Sequence, residues 1–125
     1  MKSIFKLFLV SVLALAVVSC TKNRTGGTAT LKGKVVHHGK AIANAYVYVK
    51  FNTSEFPGDN YSSYDTYVEA DASGNYSIPF YQGTYYIFAM GRDMDIAYPY
   101  KVQGGLSISI RNKENLEKDI AVTED

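Results

Sequence analysis

Ala45-Tyr46-Val47-Tyr48-Val49-Lys50-Phe51 is the stretch that decides the fold class. Its small and apolar residues, Ala45, Val47, Val49 and Phe51, alternate with Tyr46, Tyr48 and Lys50. Successive side chains of an extended strand point to opposite faces, so a period of two marks a strand with one face in a core and one towards solvent. A helix would instead gather its apolar residues three and four apart. Val and Tyr also favour strands, because branched and aromatic side chains fill a pleated surface well. On this reading Val47 and Val49 point inwards, and Tyr46 and Tyr48 point outwards.

The same pattern recurs along the chain. In Ser63 to Ala70, Tyr64, Thr66, Val68 and Ala70 alternate with Asp65, Tyr67 and Glu69, so an inward Val68 puts Tyr67 outside. Ala29 to Val36 places Leu31, Gly33 and Val35 on one face. Tyr76 to Phe80, Thr84 to Met90, Tyr98 to Gln103, Leu106 to Ile110 and Lys118 to Val122 complete eight expected strands. Between them lie turn signals: His37-His38-Gly39-Lys40, a long polar loop from Asn52 to Ser62 containing Pro57-Gly58-Asp59-Asn60, and Asp71-Ala72-Ser73-Gly74-Asn75. No helical period persists for more than a few residues. Short strands with frequent turns predict an all-β domain over 29–125, a seven- or eight-stranded antiparallel sandwich.

The residues before it describe export. Lys2 and Lys6 precede the apolar run Leu7 to Val18, which is free of charge, and then Ser19 and Cys20. A charged start, a short apolar run and small residues before a cleavage point describe a secretory signal. Twelve residues rising 1.5 Å each fall well short of a hydrocarbon core about 30 Å thick, so a membrane-spanning helix is not expected. Val17-Val18-Ser19-Cys20 resembles a bacterial lipobox. The resemblance implies a lipoprotein signal peptide over 1–19 and a diacylglyceryl group on the Cys20 thiol. It also implies acylation of the new amino terminus, and two or three chains anchor firmly where one holds marginally. Thr21 stands where inner-membrane retention calls for Asp, which implies delivery to the outer membrane of a Gram-negative bacterium. Thr21 to Thr28 is polar, small and glycine-bearing, so 20–28 is expected to be a flexible tether.

Removing residues 1–19 takes two of thirteen basic residues and none of the twelve acidic ones, which leaves a net charge of −1. Such a chain has no long-range field for nucleic acid, and no nucleic-acid partner is expected. Cys20 is the only cysteine, so no disulfide is available and packing must hold the fold. All eleven tyrosines fall between Tyr46 and Tyr100.

A family pattern emerges from Gly33-Lys34-Val35, Gly39 through Val49, Asp71-Ala72-Ser73-Gly74-Asn75-Tyr76-Ser77-Ile78 and Gly83-Thr84-Tyr85-Tyr86-Ile87. Together these resemble the carboxypeptidase regulatory-like domain, also called prealbumin-like or transthyretin-like, over roughly Thr28 to Met90. The resemblance implies a β-sandwich that serves as a non-catalytic module of envelope or secreted proteins.

Candidate catalytic and metal chemistry is sparse. His37 and His38 are adjacent, and neighbours on a strand point to opposite faces, so a solvated turn is expected and no metal site. No His-Glu-x-x-His is present, so the zinc centre of the carboxypeptidases proper is missing. The Tyr-Arg-Gly-Ser ending of the transthyretin-like hydrolases is replaced by Ala121-Val122-Thr123-Glu124-Asp125. No serine lies in a Gly-x-Ser-x-Gly elbow. Asp93-Met94-Asp95 and Asp59-Asn60 lack calcium-loop spacing, and Arg92 invites a salt bridge with Asp93. No enzyme activity and no cofactor are therefore expected. The functional signal is the tyrosines. Tyr46, Tyr48 and Tyr67 would form one exposed aromatic face if their strands neighbour each other, with Tyr61 and Tyr64 extending it or capping the sandwich end. Tyrosine offers large contact area at low entropic cost. The expected role is a membrane-anchored binding module with a protein or glycan ligand. The other reading is a structural subunit whose edge strands pair in a surface assembly.

Overall fold

The computed structural model describes residues 21–124, so the expected signal peptide and Cys20 lie outside the described residues. The chain forms β1 (Thr25–His37), β2 (Lys40–Ala41), β3 (Tyr46–Phe51), a 3-10 turn (Tyr61–Ser63), β4 (Thr66–Glu69), β5 (Asn75–Phe80), β6 (Gly83–Arg92), β7 (Lys101–Ile110), β8 (Asn115–Glu117) and β9 (Ile120–Ala121). There is no α-helix among the described residues. A four-stranded sheet runs in the order β4-β3-β6-β7, and a five-stranded sheet is built around β1, with β2, β5, β8 and β9 pairing it. The all-β sandwich expected from alternation is therefore the fold.

Alternation accounts for the core directly. Tyr76, Ile78 and Phe80 of β5 are buried while Asn75, Ser77 and Pro79 are exposed. Leu31 and Val35 of β1 face Val47, Val49, Tyr85, Ile87 and Ala89 of the opposing sheet within one apolar cluster. Burying such side chains contributes about 1.5–3 kcal/mol each against exposure, which is the main drive for the two sheets to close. Tyr85 is fully buried, and its hydroxyl donates to the carbonyls of Tyr81 (2.7 Å) and Arg24 (3.1 Å), so the polar tip is satisfied at the core's end. The Asp71 carboxylate accepts from the backbone of Ser73 and Asn75, both at 2.9 Å, and Gly74 takes φ +78° in the same turn. The Asn75 amide bond, first among several contacts, holds the Asp71 carboxyl below its ordinary value.

Three expectations are corrected. The stretch 20–28 is not tether throughout, because Asn23 donates to the Gln82 carbonyl (2.9 Å), the Tyr81 amide donates to Arg24 (2.8 Å), and β1 begins at Thr25. A Cβ on Gly27 would lie 2.3 Å from the Phe80 carbonyl oxygen, so the glycine there serves close approach at a bulge rather than flexibility. Second, Tyr98 to Gln103 and Leu106 to Ile110 are not two strands. β7 runs through Gly104 and Gly105, where a Cβ would lie 2.3 Å from the Ala121 oxygen and 2.5 Å from the Ile87 oxygen. Third, the sandwich is not wholly antiparallel. After β7 the chain crosses to the other sheet and returns beside β1 as two short parallel strands, β8 and β9, in place of one strand over Lys118 to Val122. Beyond β9, Thr123 pairs with Gln103 of β7, so the last residues connect both sheets.

Candidate binding face and the cluster at the sandwich end

β3 and β4 are antiparallel neighbours, and their register sets Tyr48 directly opposite Tyr67 and Tyr46 opposite Glu69. Because Val47 and Val49 are fully buried, Tyr46, Tyr48 and Tyr67 all stand on the outer face. Their ring centroids lie 5.7 Å (Tyr48 and Tyr67), 5.8 Å (Tyr46 and Tyr67) and 6.3 Å (Tyr46 and Tyr48) apart, within the range of favourable aromatic pairing. Tyr46 is 45% and Tyr67 57% exposed, while Tyr48 is half-buried between them. Burial, first, and the neighbouring tyrosines raise the Tyr48 phenol above its ordinary value, so it stays a neutral donor near pH 7. The structure thus brings the three candidate residues into one face.

The loop over 52–65 completes that face. Asn60 accepts from the Ser62 amide (3.1 Å) and hydroxyl (2.8 Å), which starts the 3-10 turn and gives Asn60 a structural role. Asp65 accepts from the Phe51 amide (2.7 Å) and lies 3.6 Å from the Lys50 ammonium, which fixes the loop's return. Tyr64 donates to the Gly58 carbonyl (2.8 Å), and burial raises its phenol well above the ordinary value. Tyr61 and Tyr64 both contact Tyr48, with centroids 6.3 and 5.7 Å away. Tyr64 also stacks on Phe88 (5.7 Å, 11° between planes), and Phe56 packs on Phe88 and Tyr86.

Tyr46, Tyr48, Tyr61, Tyr64, Asp65, Thr66 and Tyr67 line a cleft of ≈ 360 Å³. Tyr46 also borders a neighbouring groove of ≈ 640 Å³ that includes Met90, Arg92, Pro99 and Lys101. The two depressions share Tyr46, so aromatic surface passes into a cationic rim. Phe88 was not legible as part of this face. Its signal was the unbroken apolar run Ile87-Phe88-Ala89-Met90, which marks a strand covered on both sides.

At one end of the sandwich the turn after β1 departs from expectation. His38 is exposed and takes φ +50°, but His37 is 3% exposed and is not in solvent. Its Nδ1 lies 2.7 Å from Oδ2 of Asp93, itself buried. Lys40 donates to Oδ1 of Asp93 at 2.5 Å and also to Asp95, and the Asp95 amide donates to the same Oδ1 (3.0 Å). The expected Asp93 partner, Arg92, is replaced by Lys40 and His37, because Asp93 lies just past the end of β6, where the β1–β2 hairpin folds over it. Lys40 first, then His37 and the Asp95 amide, hold the Asp93 carboxyl far below the ordinary value. A depressed carboxyl contributes stability above its unfolded value near 3.9 and loses it as the pH falls through the acid range.

No protein-family model matches the chain, and no curated protein matches it. The resemblance to the carboxypeptidase regulatory-like domain therefore rests on the quoted motifs. Solved structures align with the chain. A Pseudomonas aeruginosa protein proposed to bind carbohydrate aligns with a TM-score of 0.54 at 11% identity, over 83% of this chain and 93% of that one. A DUF3823 family protein from Parabacteroides merdae aligns with a TM-score of 0.46 at 18% identity, over 76% of this chain, which spans 45% of that protein's length. At 11% identity the likeness to the Pseudomonas aeruginosa protein is one of fold alone.

Proposed function

We propose that this chain is a non-catalytic, lipid-anchored module that binds carbohydrate on the outer face of its four-stranded sheet. The observation that carries the reading is the cluster of Tyr46, Tyr48 and Tyr67, three rings in mutual contact at an open cleft. A pyranose presents C–H bonds on one face and hydroxyls around its rim. The first suits a flat aromatic ring, and the second suit Asp65, Thr66 and the tyrosine hydroxyls along the same cleft. A carbohydrate-binding assignment has also been made for the Pseudomonas aeruginosa protein of similar fold. Edge pairing in a surface assembly has less to use at β4, which is four residues long with Glu69 at its end.

Tyr46→Ser with Tyr67→Ser should weaken glycan capture at least about tenfold, the equivalent of 1.4 kcal/mol. The thermal midpoint should stay within about 4 °C, because both side chains lie outside the core. Tyr48 is left intact in this variant, since its half-buried ring supports the loop. Unchanged capture on a glycan array would refute the binding face, and a large fall in midpoint would make these residues structural.

The anchor is placed on Cys20, with the outer membrane as its site. Intact-mass measurement of membrane-extracted protein should find a lipid there, and Cys20→Ala should move the chain to the soluble fraction. Equal membrane recovery of that variant would exclude the anchor.

A further inference from the structure

We infer that His37, His38 and Glu124 form a binding site for a divalent transition-metal ion of the zinc class. One nitrogen from each histidine and a carboxylate oxygen of Glu124 all lie within 4.8 Å of one another. His37 is pre-oriented for this role. Its Nδ1 is engaged by the Asp93 carboxylate at 2.7 Å, so Nε2 is the ring nitrogen left for a ligand. That Nε2 faces Glu124, 3.8 Å from Oε1. A metal-ligating histidine characteristically gives its other N–H to a carboxylate, which fixes the ring and raises its basicity.

The chain geometry supplies the other two ligands. Left-handed backbone at His38 ends the strand alternation, so its ring turns back to 4.2 Å from the His37 ring instead of projecting from the opposite face. Opposite-face projection holds only along continued strand, and the strand ends before His38. Glu124 follows Thr123, whose amide and carbonyl both pair with Gln103 (2.9 Å each), and Val122 donates to Val36 (2.9 Å). All three ligands are thus held by backbone within one or two residues. Tetrahedral donors about 2.0–2.1 Å from zinc lie roughly 3.3 Å apart, which rotation of the exposed His38 and Glu124 side chains can reach. Two imidazoles and one carboxylate favour zinc, copper or nickel over calcium and magnesium, which prefer all-oxygen sites. Three protein ligands leave a fourth position for water. The bound ion would clasp the β1–β2 hairpin to the segment after β9, which already connects the two sheets.

The test uses the detergent-solubilised full chain and zinc chloride. Stoichiometric uptake by calorimetry should accompany a rise in thermal midpoint of about 5 °C or more, reversed by chelator and not reproduced by calcium or magnesium. His38→Asn with Glu124→Gln should keep the metal-free midpoint, since both residues are exposed and asparagine accepts left-handed backbone. The same variant should bind zinc at least about tenfold more weakly. Parental affinity in that variant, or no uptake by the parent chain, overturns the site. The tyrosine face is untouched by these changes, so glycan capture by the same variant separates this result from the fate of the binding proposal.

Discussion

Gly33→Ala should lower the thermal midpoint by roughly 12–20 °C, the equivalent of about 3 kcal/mol in a domain of this size. Gly33 sits between the buried Leu31 and Val35 on the core-facing side of β1, where an apolar side chain would be the ordinary choice. The space is taken by backbone. A Cβ there would lie 1.9 Å from the Lys118 carbonyl oxygen and 2.6 Å from its carbon, and no rotamer relieves a clash with main chain. Lys118 cannot readily retreat. Its amide donates to Lys32 (2.9 Å), and its carbonyl accepts from the hydroxyl of Tyr76 (2.5 Å), the residue directly opposite Gly33 in the β1–β5 register. Burial raises the Tyr76 phenol well above its ordinary value, which keeps the proton on that donor. Accommodating a methyl group would move the step between β8 and β9 and break both bonds, which adds about 0.5–1.5 kcal/mol each to the cost of the clash. Since total stabilities of such domains are about 5–15 kcal/mol, the loss is a large share. Lys32→Ala, next along the same strand but facing solvent, should shift the midpoint by no more than about 4 °C. A comparably small shift for Gly33→Ala would show that the crossing is soft, and the account of the glycine would fall.

The glycines show what the sequence did and did not disclose. Alternation in Ala45 to Phe51 identifies the strand, its buried face and its outward tyrosines, because a period of two is a local property of backbone geometry. Gly39 and Gly74 also declare themselves, since turn residues around them supply local context. Gly27, Gly33, Gly104 and Gly105 do not. Each is needed because a distant segment passes close by: Phe80, Lys118, Ala121 and Ile87 respectively. Read locally, glycine suggests a tether before Thr28 and a break after Gln103, and both suggestions fail for one physical reason. The parallel return of β8 and β9 is hidden similarly, since two- and three-residue strands carry no periodicity. The same limit applies to His37, whose burial depends on Asp93, 56 positions away.

Phe88→Ala should destabilise the protein by about 3 kcal/mol and also dismantle the tyrosine face, although Phe88 itself is 3% exposed and offers no surface to a ligand. On β6 the core-facing residues are Tyr85, Ile87 and Ala89, so Phe88 points the other way, onto the outer face. It is buried there only because the loop over 52–65 lies across it, with Tyr64 stacked on the ring and Phe56 against it. Tyr64 in turn contacts Tyr48, the central ring of the platform. Truncation removes the surface on which the loop rests, while Asp65 still holds its far end to Phe51. Amides within 52–65 should therefore exchange with solvent faster, and glycan capture should weaken with them. Ile87→Ala is the informative comparison. It deletes a fully buried side chain one position away, at a similar cost in stability, but its cavity opens between the sheets and not beneath the loop. Exchange in 52–65 should respond to Phe88→Ala and be nearly unaffected by Ile87→Ala at temperatures well below unfolding. Equal exchange in the two variants would mean that the loop is held by its own turn and hydrogen bonds, and that the platform does not depend on the ring beneath it.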